Sequence, residues 1–556
     1  MDQKQYLDAH GVQQKLQEAI QWVLRTRPAD PRSAIGNYLL EQRSTEQGAV
    51  RVVSWNMAAI NNNPFEYWLT HPDKDYAVLM ESIESFVSDP GERDVSVKTV
   101  FTPAMYAQLE EHMTAQGWDG AEACAAAWEE LRERPIVSGF LKDKGLGDKR
   151  LMSMPDRVTN TIDVEGGGRV CRPTVISSFS GDMATVDAWW PLWLSFHFSE
   201  RLTLPGKKGG ASSSKLPCEL ITKIPRAKYP ALTEEEEAMS MRLQTLCIGI
   251  FDAILVHMVA TLSPDGKWLV LKKQILEALT WAKEPKQIAI LQGMYADADV
   301  FCLQEVRTAS MREVLPTSLG NKYTVVCPAK PSKADQNSVV LLSKSRFDPA
   351  SVVDLTSEAL ELYPEDATKV TDGDLLLISA LEVASGTTML FASFHGDTDG
   401  LATAPVLTAV HAVAQRLGPS VPLVFGLDAN TYAKAKPGKQ APYLDFVADF
   451  TAKGYACNFP ADAPLDARLT TSNARTFLQP QLQKACKASA KAVLGDFNPK
   501  DYILFPKAAF TLVNAGRDNS GKRTYDADMV VPTLDWPSDH GLVYATLQPQ
   551  APVDLS

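Results

Sequence analysis

Short apolar runs separated by turn-forming residues dominate the chain from residue 299 onwards, and one similar run stands alone near the start. Runs of this length, bounded by Gly, Pro, Asn and Asp, are typical of β-strands. They lie at 50–54, 299–303, 323–327, 339–342, 375–383, 389–394, 423–426, 502–505, 510–513 and 542–547. Helical periodicity intervenes at 404–417 and 442–453. Many hairpin-spaced strands with few helices predict two packed, mainly antiparallel sheets with helices on the outside.

A long segment with a different pattern separates the first of these runs from the second. Helical periodicity recurs in it at 104–116, 121–134, 234–259 and 274–284, so we interpret about 75–285 as a mostly helical insertion. Its longest apolar run, 246–262, contains Asp252 and His257 and is short for a bilayer. We therefore expect a buried helix there rather than a membrane span. The aromatic cluster at 189–193 is expected in a core or an interface.

Two helices are predicted before the first strand. The first carries one apolar stripe, formed by Val12, Leu16, Ala19, Ile20, Val23 and Leu24. Pro28 ends this helix, and Asp30 caps a second one that has Pro31 at its first position. Two helices of this length cannot bury such a stripe alone, so this face needs a partner.

The segments Tyr6–Val12, Leu24–Pro31 and Tyr38–Leu40 resemble the dimerisation-and-docking motif of protein kinase A regulatory subunits. They are closer still to the relatives of that motif in flagellar and chromatin-complex proteins. The resemblance implies a module at 1–45 that forms a homodimer through residues 5–43 and receives an amphipathic helix from an anchoring partner. The alternative is an N-terminal hairpin packed on its own main domain, which would span 49–556.

Composition narrows the class of protein. The 556 residues are 45% hydrophobic and 22% charged, as in ordinary globular proteins. The net charge of −12 disfavours tight binding of long nucleic acid, because such binding relies on Lys and Arg displacing counterions. The eight cysteines form no Cys-x-x-Cys pair, which favours reduced thiols. The first six residues lack the apolar core of a signal peptide. We expect an intracellular, cytoplasmic protein, with a flagellar or nuclear complex as the alternative.

Acids, amides and imidazoles close several of the predicted strands. In chain order they are Asn56, Glu305, His395 with Asp397, Asp428 with Asn430, Asp501, and Asp539 with His540. The oxygen donors Asn56, Glu305 and Asp539 suit Mg²⁺, a hard cation, and Mn²⁺ is the alternative.

With these motifs in this order, residues 50–56 and about 297–548 resemble the endonuclease/exonuclease/phosphatase superfamily. The resemblance implies a four-layer α/β sandwich and a phosphate-ester substrate. It implies that Asp428 and Asn430 orient the attacking water and contact the phosphate. It also implies that His540 contacts the phosphate or moves its proton, that Asp501 orients His540, and that His395 binds phosphate or protonates the leaving group.

A competing match occurs at Gly495-Asp496-Phe497-Asn498, whose wording is closer to the usual Gly-Asp-Phe-Asn motif. No apolar strand leads into it, and it lies too close to Asp501 for the intervening elements, so we favour Asp428 and Asn430. Lysines 434, 436, 439 and 522 and arginines 517 and 523 are candidate substrate-side cations or simply solvated charges. The alternative function is a catalytically silent dimeric scaffold that docks an anchoring helix.

Overall fold

The computed structural model describes residues 48–206, 210–472, 478 and 496–550, together with residues 16, 17 and 20. The predicted docking module at 5–43 therefore lies almost wholly outside the described residues. The chain divides into two compact units. The first comprises Met1–Ala59, Ala282–Asn473 and Asp496–Ser556, and the second comprises Ile60–Trp281 and Ala474–Gly495.

The strands are, in chain order, β1 (Val50–Asn56), β2 (Thr161–Asp163), β3 (Arg169–Cys171), β4 (Leu202–Leu204), β5 (Ser213–Lys215), β6 (Val300–Val306), β7 (Tyr323–Val326), β8 (Asn337–Ser343), β9 (Val353–Asp354), β10 (Leu375–Leu381), β11 (Thr388–His395), β12 (Leu423–Asp428), β13 (Tyr455–Cys457), β14 (Asp501–Pro506), β15 (Phe510–Asp518) and β16 (Leu542–Pro549). Each of the ten predicted runs forms a strand. The short strands β2 to β5, β9 and β13 were not predicted, because runs of two or three residues carry no measurable periodicity.

Between residues 48 and 550, outside the gaps in the described ranges, the α-helices are α1 (Lys74–Ser88), α2 (Val97–Val100), α3 (Pro103–Ala115), α4 (Ala121–Leu131), α5 (Lys144–Asp148), α6 (Ser153–Thr159), α7 (Val186–Phe198), α8 (Glu234–Ala238), α9 (Ser240–Leu262), α10 (Lys267–Leu276), α11 (Lys283–Gln292), α12 (Leu315–Leu319), α13 (Thr356–Glu361), α14 (Thr403–Leu417), α15 (Tyr443–Ala452) and α16 (Leu465–Arg468). The prediction of a single helix at 274–284 is wrong. The chain instead ends α10 at Leu276, makes a π-helical turn at Glu277–Trp281 and starts α11 at Lys283. Pro285 fits the first turn of α11, where a missing N–H costs nothing.

Two six-stranded sheets build the first unit. One has the order β15-β16-β1-β6-β8-β7, and the other has the order β13-β14-β12-β11-β10-β9. The pairs β1/β6 and β11/β12 are parallel, and the other pairs in these two sheets are antiparallel. The prediction of mainly antiparallel sheets is confirmed, and each sheet is mixed through one parallel pair.

The alternation of side chains along β1 shows how the layers form. Val50 and Val52 are buried in a core that also contains Ile378, Leu390 and other residues of the second sheet. Val53 and Trp55 point to the other face and pack with residues of α11 and α12. Helices α14 and α15 contribute to the core on the second sheet. The first unit is thus a four-layer α/β sandwich, as predicted.

Helix α9 is the centre of the second unit, where it packs against α1, α2, α4, α6 and α7. It is long and apolar enough to cross a membrane, but 78% of its apolar window is buried inside the protein. This burial confirms the expectation of a core helix. Trp189, Trp190 and Trp193 of α7 are also buried, as expected for core residues. The seven cysteines within the described ranges are all unpaired, in agreement with the expectation of free thiols.

Candidate active site

The first sheet brings four of the predicted site residues to one edge. Because β1 and β6 are parallel and Asn56 pairs with Gln304, Asn56 and Glu305 leave the sheet at the same end. Strand β16 is antiparallel to β1, so its first residues lie at that end as well. Asp539 and His540, which directly precede β16, are therefore delivered beside Asn56.

The second sheet brings the remaining predicted site residues together in the same way, at neighbouring strand ends. Strands β11 and β12 are parallel, and His395 pairs with Asp428 at their carboxyl ends. Strand β14 runs antiparallel to β12 and begins at Asp501, which pairs with Asp428. Asn430 follows two residues beyond Asp428. Each sheet therefore presents its polar strand ends at one place.

Gly426 lets the two sheets approach each other closely under the site. A Cβ atom at this position would lie 2.4 Å from Cβ of Cys302 and 2.9 Å from Oγ of Ser54, both on the facing sheet. Buried Gln304 spans the same gap, because its Nε2 lies 3.2 Å from Ser54 Oγ and 3.1 Å from Ser393 Oγ. This close approach lets side chains from both sheets meet. Sequence reasoning did not assign a role to Gln304, although it directly precedes Glu305.

Asn56 bridges two carboxylates. Its Nδ2 donates to Glu305 Oε1 at 3.0 Å and to Asp428 Oδ2 at 2.9 Å, while its Oδ1 accepts from the Ala58 amide at 2.8 Å. The orientation of the amide is set by its partners, since carboxylates accept and an amide N–H donates. Asn56 was predicted as an oxygen ligand of a metal, but here it presents its NH₂ group and holds the two acids together.

Glu305 sits on a distortion of β6. The register with β8 shifts between Leu303 and Val306, and Glu305 has a φ of +54°. Bulges re-aim side chains, and a positive φ at a non-glycine residue costs energy that the surroundings must supply. The carboxylate accepts from the Ala59 amide at 2.9 Å and from Gln336 Nε2 at 3.0 Å. Burial raises the pKa of Glu305, but His395, the Ala59 amide, Asn56 and His540 together outweigh burial, so its net pKa is lowered and it stays ionised.

Asp428 is the most central of the acids. It is 1% exposed, and its Oδ2 lies 3.7 Å from Nε2 of His395 and also 3.7 Å from Nε2 of His540. Glu305 Oε1 lies 3.3 Å from the same His395 nitrogen. Burial raises the pKa of Asp428, whereas His540, His395 and Lys500 lower it more, so the net pKa lies below its ordinary value.

His540 is held by Asp501. Its Nδ1 lies 2.9 Å from Asp501 Oδ2, and both side chains are buried. Burial lowers the pKa of His540, but Asp501 and Asp428 act in the opposite direction and raise it to about 10. Its backbone is fixed too, since its N–H donates to Ser538 Oγ and its carbonyl accepts from Trp536 Nε1. His540 is therefore an oriented imidazolium at neutral pH.

Asp539 is half-buried and directly precedes His540. Its charge contributes to the raised pKa of His540. Burial lowers the pKa of nearby Lys283 to about 8, and Asp539 and Glu305 both act against this shift. Lys283 Nζ donates to the carbonyl of Ala59 at 3.1 Å. Sequence reasoning missed this buried cation, because it begins a helix outside every motif.

Among the described residues, two groups could hold a metal ion. They are Glu305 with His395 and Asp428, and Asp428 with Asp501 and His540, with the donor atoms of each group within 4.8 Å of one another. The first group suits a hard divalent cation through its two ionised carboxylates, whereas its imidazole is not a ligand that such a cation prefers. The second suits a metal less well, because its imidazole is protonated and already bonded to Asp501. Asp539 belongs to neither group.

Asp496 of the competing motif at 495–498 makes its contacts outside the two candidate metal-binding groups. Asp496 forms an ion pair with Lys500 and accepts a hydrogen bond from Asn498 Nδ2. Neither metal-binding group contains Asp496. Asp428, which the sequence pattern favours, belongs to both groups. Asp397 accepts N–H bonds from Leu401 and Ala402 before α14, as a turn residue does.

Two of the candidate substrate-side cations, Arg517 and Arg523, make structural contacts. Arg517 donates to the carbonyls of Asp466 and Leu469, and its guanidinium lies 4.0 Å from the ring centroid of Tyr525. Arg523 donates to the Met294 carbonyl and pairs with Asp297. These arginines are committed to structural contacts within their own unit, so they do not act as free substrate-side charges.

Comparisons with known proteins cover different parts of the chain. Residues 94–273 match the model of a domain of unknown function (DUF8234). No curated protein matches the sequence significantly. The catalytic domain of human Nocturnin with bound sulfate is 16% identical, with a TM-score of 0.33, and the match covers 50% of this chain and 89% of that one.

Two other solved structures are similar at a comparable level. An endonuclease/exonuclease/phosphatase from Bacteroides vulgatus is 12% identical, with a TM-score of 0.32 and coverage of 48% of this chain and 90% of that one. D. rerio TDP2 complexed with a single-strand DNA product is 15% identical, with a TM-score of 0.31 and coverage of 48% and 90%. All three matches align with about half of this chain.

Proposed function

We propose that this chain is a divalent-metal-dependent phosphoesterase, with Mg²⁺ as the metal and Mn²⁺ as a substitute. The observation that carries the proposal is the meeting of Glu305, His395 and Asp428 from three separated strand ends, with donor atoms within 4.8 Å. Three groups of this kind, brought together across two sheets with both carboxyl groups ionised despite burial, are costly to a fold and are typical of functional sites.

The roles of the residues follow from their contacts. Glu305 and Asp428 hold the cation, Asn56 keeps these two acids in register, and Asp539 contributes negative charge at the same edge. When bound, the metal supplies charge neutralisation at the phosphate. His540 is a cation held at one nitrogen by Asp501, so its Nε2–H is free to donate to a phosphate oxygen. His395 faces both Glu305 and Asp428, which supports a contact of this residue with the phosphate or the leaving oxygen.

Asn430 is the last of the proposed site residues, and it contacts the Asp428 oxygen that Asn56 does not. Asp428 Oδ1 accepts a hydrogen bond from the Asn430 backbone N–H at 2.9 Å. Asn430 has a φ of +48°, which holds it in a sharp turn directly after the strand. We assign to this residue a contact with the phosphate. The net charge of −12 favours a small phosphorylated molecule or a short nucleic acid over long duplex DNA.

A panel of phosphate esters tests the proposal. Oligonucleotides, dinucleotides, inositol phosphates and nucleotides are incubated with the full chain in Mg²⁺ and in chelator. We expect turnover of at least one class, lost in chelator and lost in Glu305→Gln. Absence of turnover across the panel, together with retained binding of a partner helix in chelator, would favour the scaffold function instead.

We further propose an intracellular homodimer assembled through residues 5–43, with an amphipathic anchoring helix as its partner. Leu16 and Ile20, one helical turn apart, are 41% and 47% exposed in this chain and need a covering partner. Sedimentation of the full chain should show a dimer, and Leu16→Glu with Ile20→Glu should give a monomer with unchanged phosphate-ester turnover. A monomeric wild type would contradict this assembly.

A further inference from the structure

Lys500 is a buried cation directly before Asp501. It is 5% exposed, and its Nζ lies 3.1 Å from Oδ1 of Asn430. The same ammonium pairs with Asp496 and lies 5.2 Å from the ring centroid of Tyr432. No motif in the sequence marks this lysine, because the resemblance concerns Asp501 and the apolar residues after it.

The segment 496–500 is built to hold this lysine. Asp496 is bound on one oxygen by Asn498 Nδ2 and on the other by Lys500. Asn498 Oδ1 in turn accepts from the Ala433 amide at 2.8 Å, in the loop that follows Asn430. The motif that competed with Asp428 therefore ties Lys500 to the loop that carries Asn430.

The chemistry of an ammonium group decides how Asn430 is oriented. Lys500 can only donate, so the amide of Asn430 must turn its oxygen toward it. The Nδ2 group then points away from Lys500, and no described residue accepts a hydrogen bond from it. Asp428 fixes the backbone of Asn430 at the same time, through the 2.9 Å bond to its N–H. Asn430 is thus held at its backbone N–H and at its side-chain oxygen, and both hydrogens of Nδ2 remain available to donate.

We propose that Lys500 is a positioning residue that locks the Asn430 amide so that Nδ2 faces the substrate phosphate. The inference rests on the proposed function and deepens it, because it names the donor that recognises a phosphate oxygen. A hydrogen bond prepared before the substrate arrives costs no reorganisation during the reaction. Without Lys500 the amide can rotate and present its oxygen to the phosphate, which repels it.

Lys500 acts through Asn430 rather than by direct contact with the phosphate. Its charge is already compensated by Asp496, and its side chain is almost completely enclosed. Burial lowers the pKa of Lys500, but Asp496 and Asp428 raise it by more, so the ammonium stays charged over the whole range of assay pH. It can therefore hold the amide at any pH at which the protein is folded.

A double-mutant cycle tests this inference. Turnover of the best substrate of the panel is measured in Mg²⁺ for wild type, Lys500→Met, Asn430→Ala and the double variant. We expect Lys500→Met to lower kcat by about 10- to 100-fold with KM changed by less than about threefold. In the Asn430→Ala background the same change should cost less than about twofold, because the amide it positions is gone. Lys500→Arg, which keeps the donor, should recover most of the rate.

Equal losses in both backgrounds would overturn the inference, since Lys500 would then act directly or through the fold. Lys507→Met is the matched control, because Lys507 is exposed directly after β14, whereas Lys500 directly precedes that strand, and this variant should stay within about twofold of wild type. If Lys500→Met does not fold, Asp496→Asn replaces it in the cycle. This variant frees Lys500 with little change of shape and should show a smaller, equally non-additive loss.

A binding measurement separates this inference from the proposed function. Inorganic phosphate is titrated calorimetrically into the same four proteins in the presence of Mn²⁺. Weakening by Lys500→Met of about tenfold, absent when Asn430 is Ala, supports the positioning role even if no ester of the panel is cleaved. Cleavage by the wild type with additive losses in both cycles would sustain the phosphoesterase and reject the role of Lys500.

Discussion

Nδ1 of His540 and Oδ2 of Asp501 are 2.9 Å apart and buried between the two sheets of the first unit. Asp501 opens β14 on one sheet, and His540 precedes β16 on the other, so the contact joins the sheets at the site. It raises the pKa of His540 to about 10 against the opposing effect of burial. The protonation state of this imidazole is therefore a property of the sandwich, not of the strand that carries it.

Asp501→Asn should lower the pKa of His540 strongly. Burial lowers the pKa of the imidazole, and without the Asp501 carboxylate it is opposed chiefly by Asp428, so the His540 pKa should fall from about 10 and the charged fraction of the ring at pH 7 should decrease. We expect turnover to fall by about 10²- to 10⁴-fold as the imidazolium is lost. NMR titration of the His540 ring measures the pKa directly. Asp535→Asn, an exposed residue of the same loop, should leave the titration unchanged, and a His540 pKa near 10 in Asp501→Asn would refute the assignment.

Glu305→Gln should abolish the stabilisation of the protein by metal. A cation that binds the folded state at about 100 times its Kd stabilises it by about 2.7 kcal/mol. The variant keeps the shape of the side chain but removes one of the two ionised ligands. Thermal unfolding with and without Mn²⁺ is the measurement, and Glu358→Gln on exposed α13 serves as the control. An unchanged Mn²⁺ shift in Glu305→Gln would remove Glu305 from the metal site.

Asp428→Asn should cost far more activity than Asp496→Asn. Asp428 lies at 2.9 Å from Asn56 and at 3.7 Å from both site histidines, whereas Asp496 contacts Lys500 and Asn498. We expect a loss of at least about 1,000-fold for the first and about tenfold for the second. Steady-state kinetics on one substrate decides between them. If Asp496→Asn lost more activity than Asp428→Asn, the competing motif at 495–498 would carry the site instead.

His197 should make the second unit sensitive to acid. Burial, helped by the charge of Arg172, lowers the pKa of His197 to about 3 from an ordinary value of 6.5. The unfolded chain then binds a proton that the folded chain refuses, so stability is full above about pH 6.5 and falls as the pH drops toward 3. At pH 5 the loss is about 2 kcal/mol. His197→Gln should lose less stability than wild type between pH 7.5 and 5.0, measured by denaturant unfolding; parallel curves would contradict this.

Asp252→Asn should destabilise the second unit. Asp252 is fully buried and accepts from Arg172 Nε at 2.8 Å, from Thr174 Oγ1 at 2.7 Å and from Trp193 Nε1 at 3.0 Å. Removing one partner of a buried ion pair leaves the other charge uncompensated and costs about 3–5 kcal/mol. Asp187→Asn, exposed in the first turn of α7, should cost less than about 1 kcal/mol. Equal melting temperatures for the two variants would show that the buried pair adds nothing.

The longer strands of the sandwich could be predicted because each is an apolar run of several residues with turn-forming residues at both ends. Long runs such as Leu423–Asp428 and Leu542–Pro549 met this condition. Short strands such as β9 did not, since two residues cannot establish a period. The helix predicted at 274–284 failed because amphipathic patterns before and after the π-helical turn Glu277–Trp281 merge into one along the sequence.

The predicted site residues were recognisable because each closes an apolar run, and their order was informative. The residues that organise them were not. Gln304, Lys283 and Lys500 act through contacts with residues far away in the chain, such as Ser393, Ala59 and Asn430. Nothing in the local pattern around them distinguishes a buried lysine from a solvated one.

The sequence by itself determined where the strands lie and which polar residues end them, because side-chain periodicity and turn chemistry are local properties. Only the tertiary structure decided that Asn56 presents its NH₂ group to two acids, that His540 is charged, and that Lys500 pairs with Asp496. Hydrogen-bond direction and pKa depend on which donors and charges surround a group after burial, and those neighbours come from distant parts of the chain.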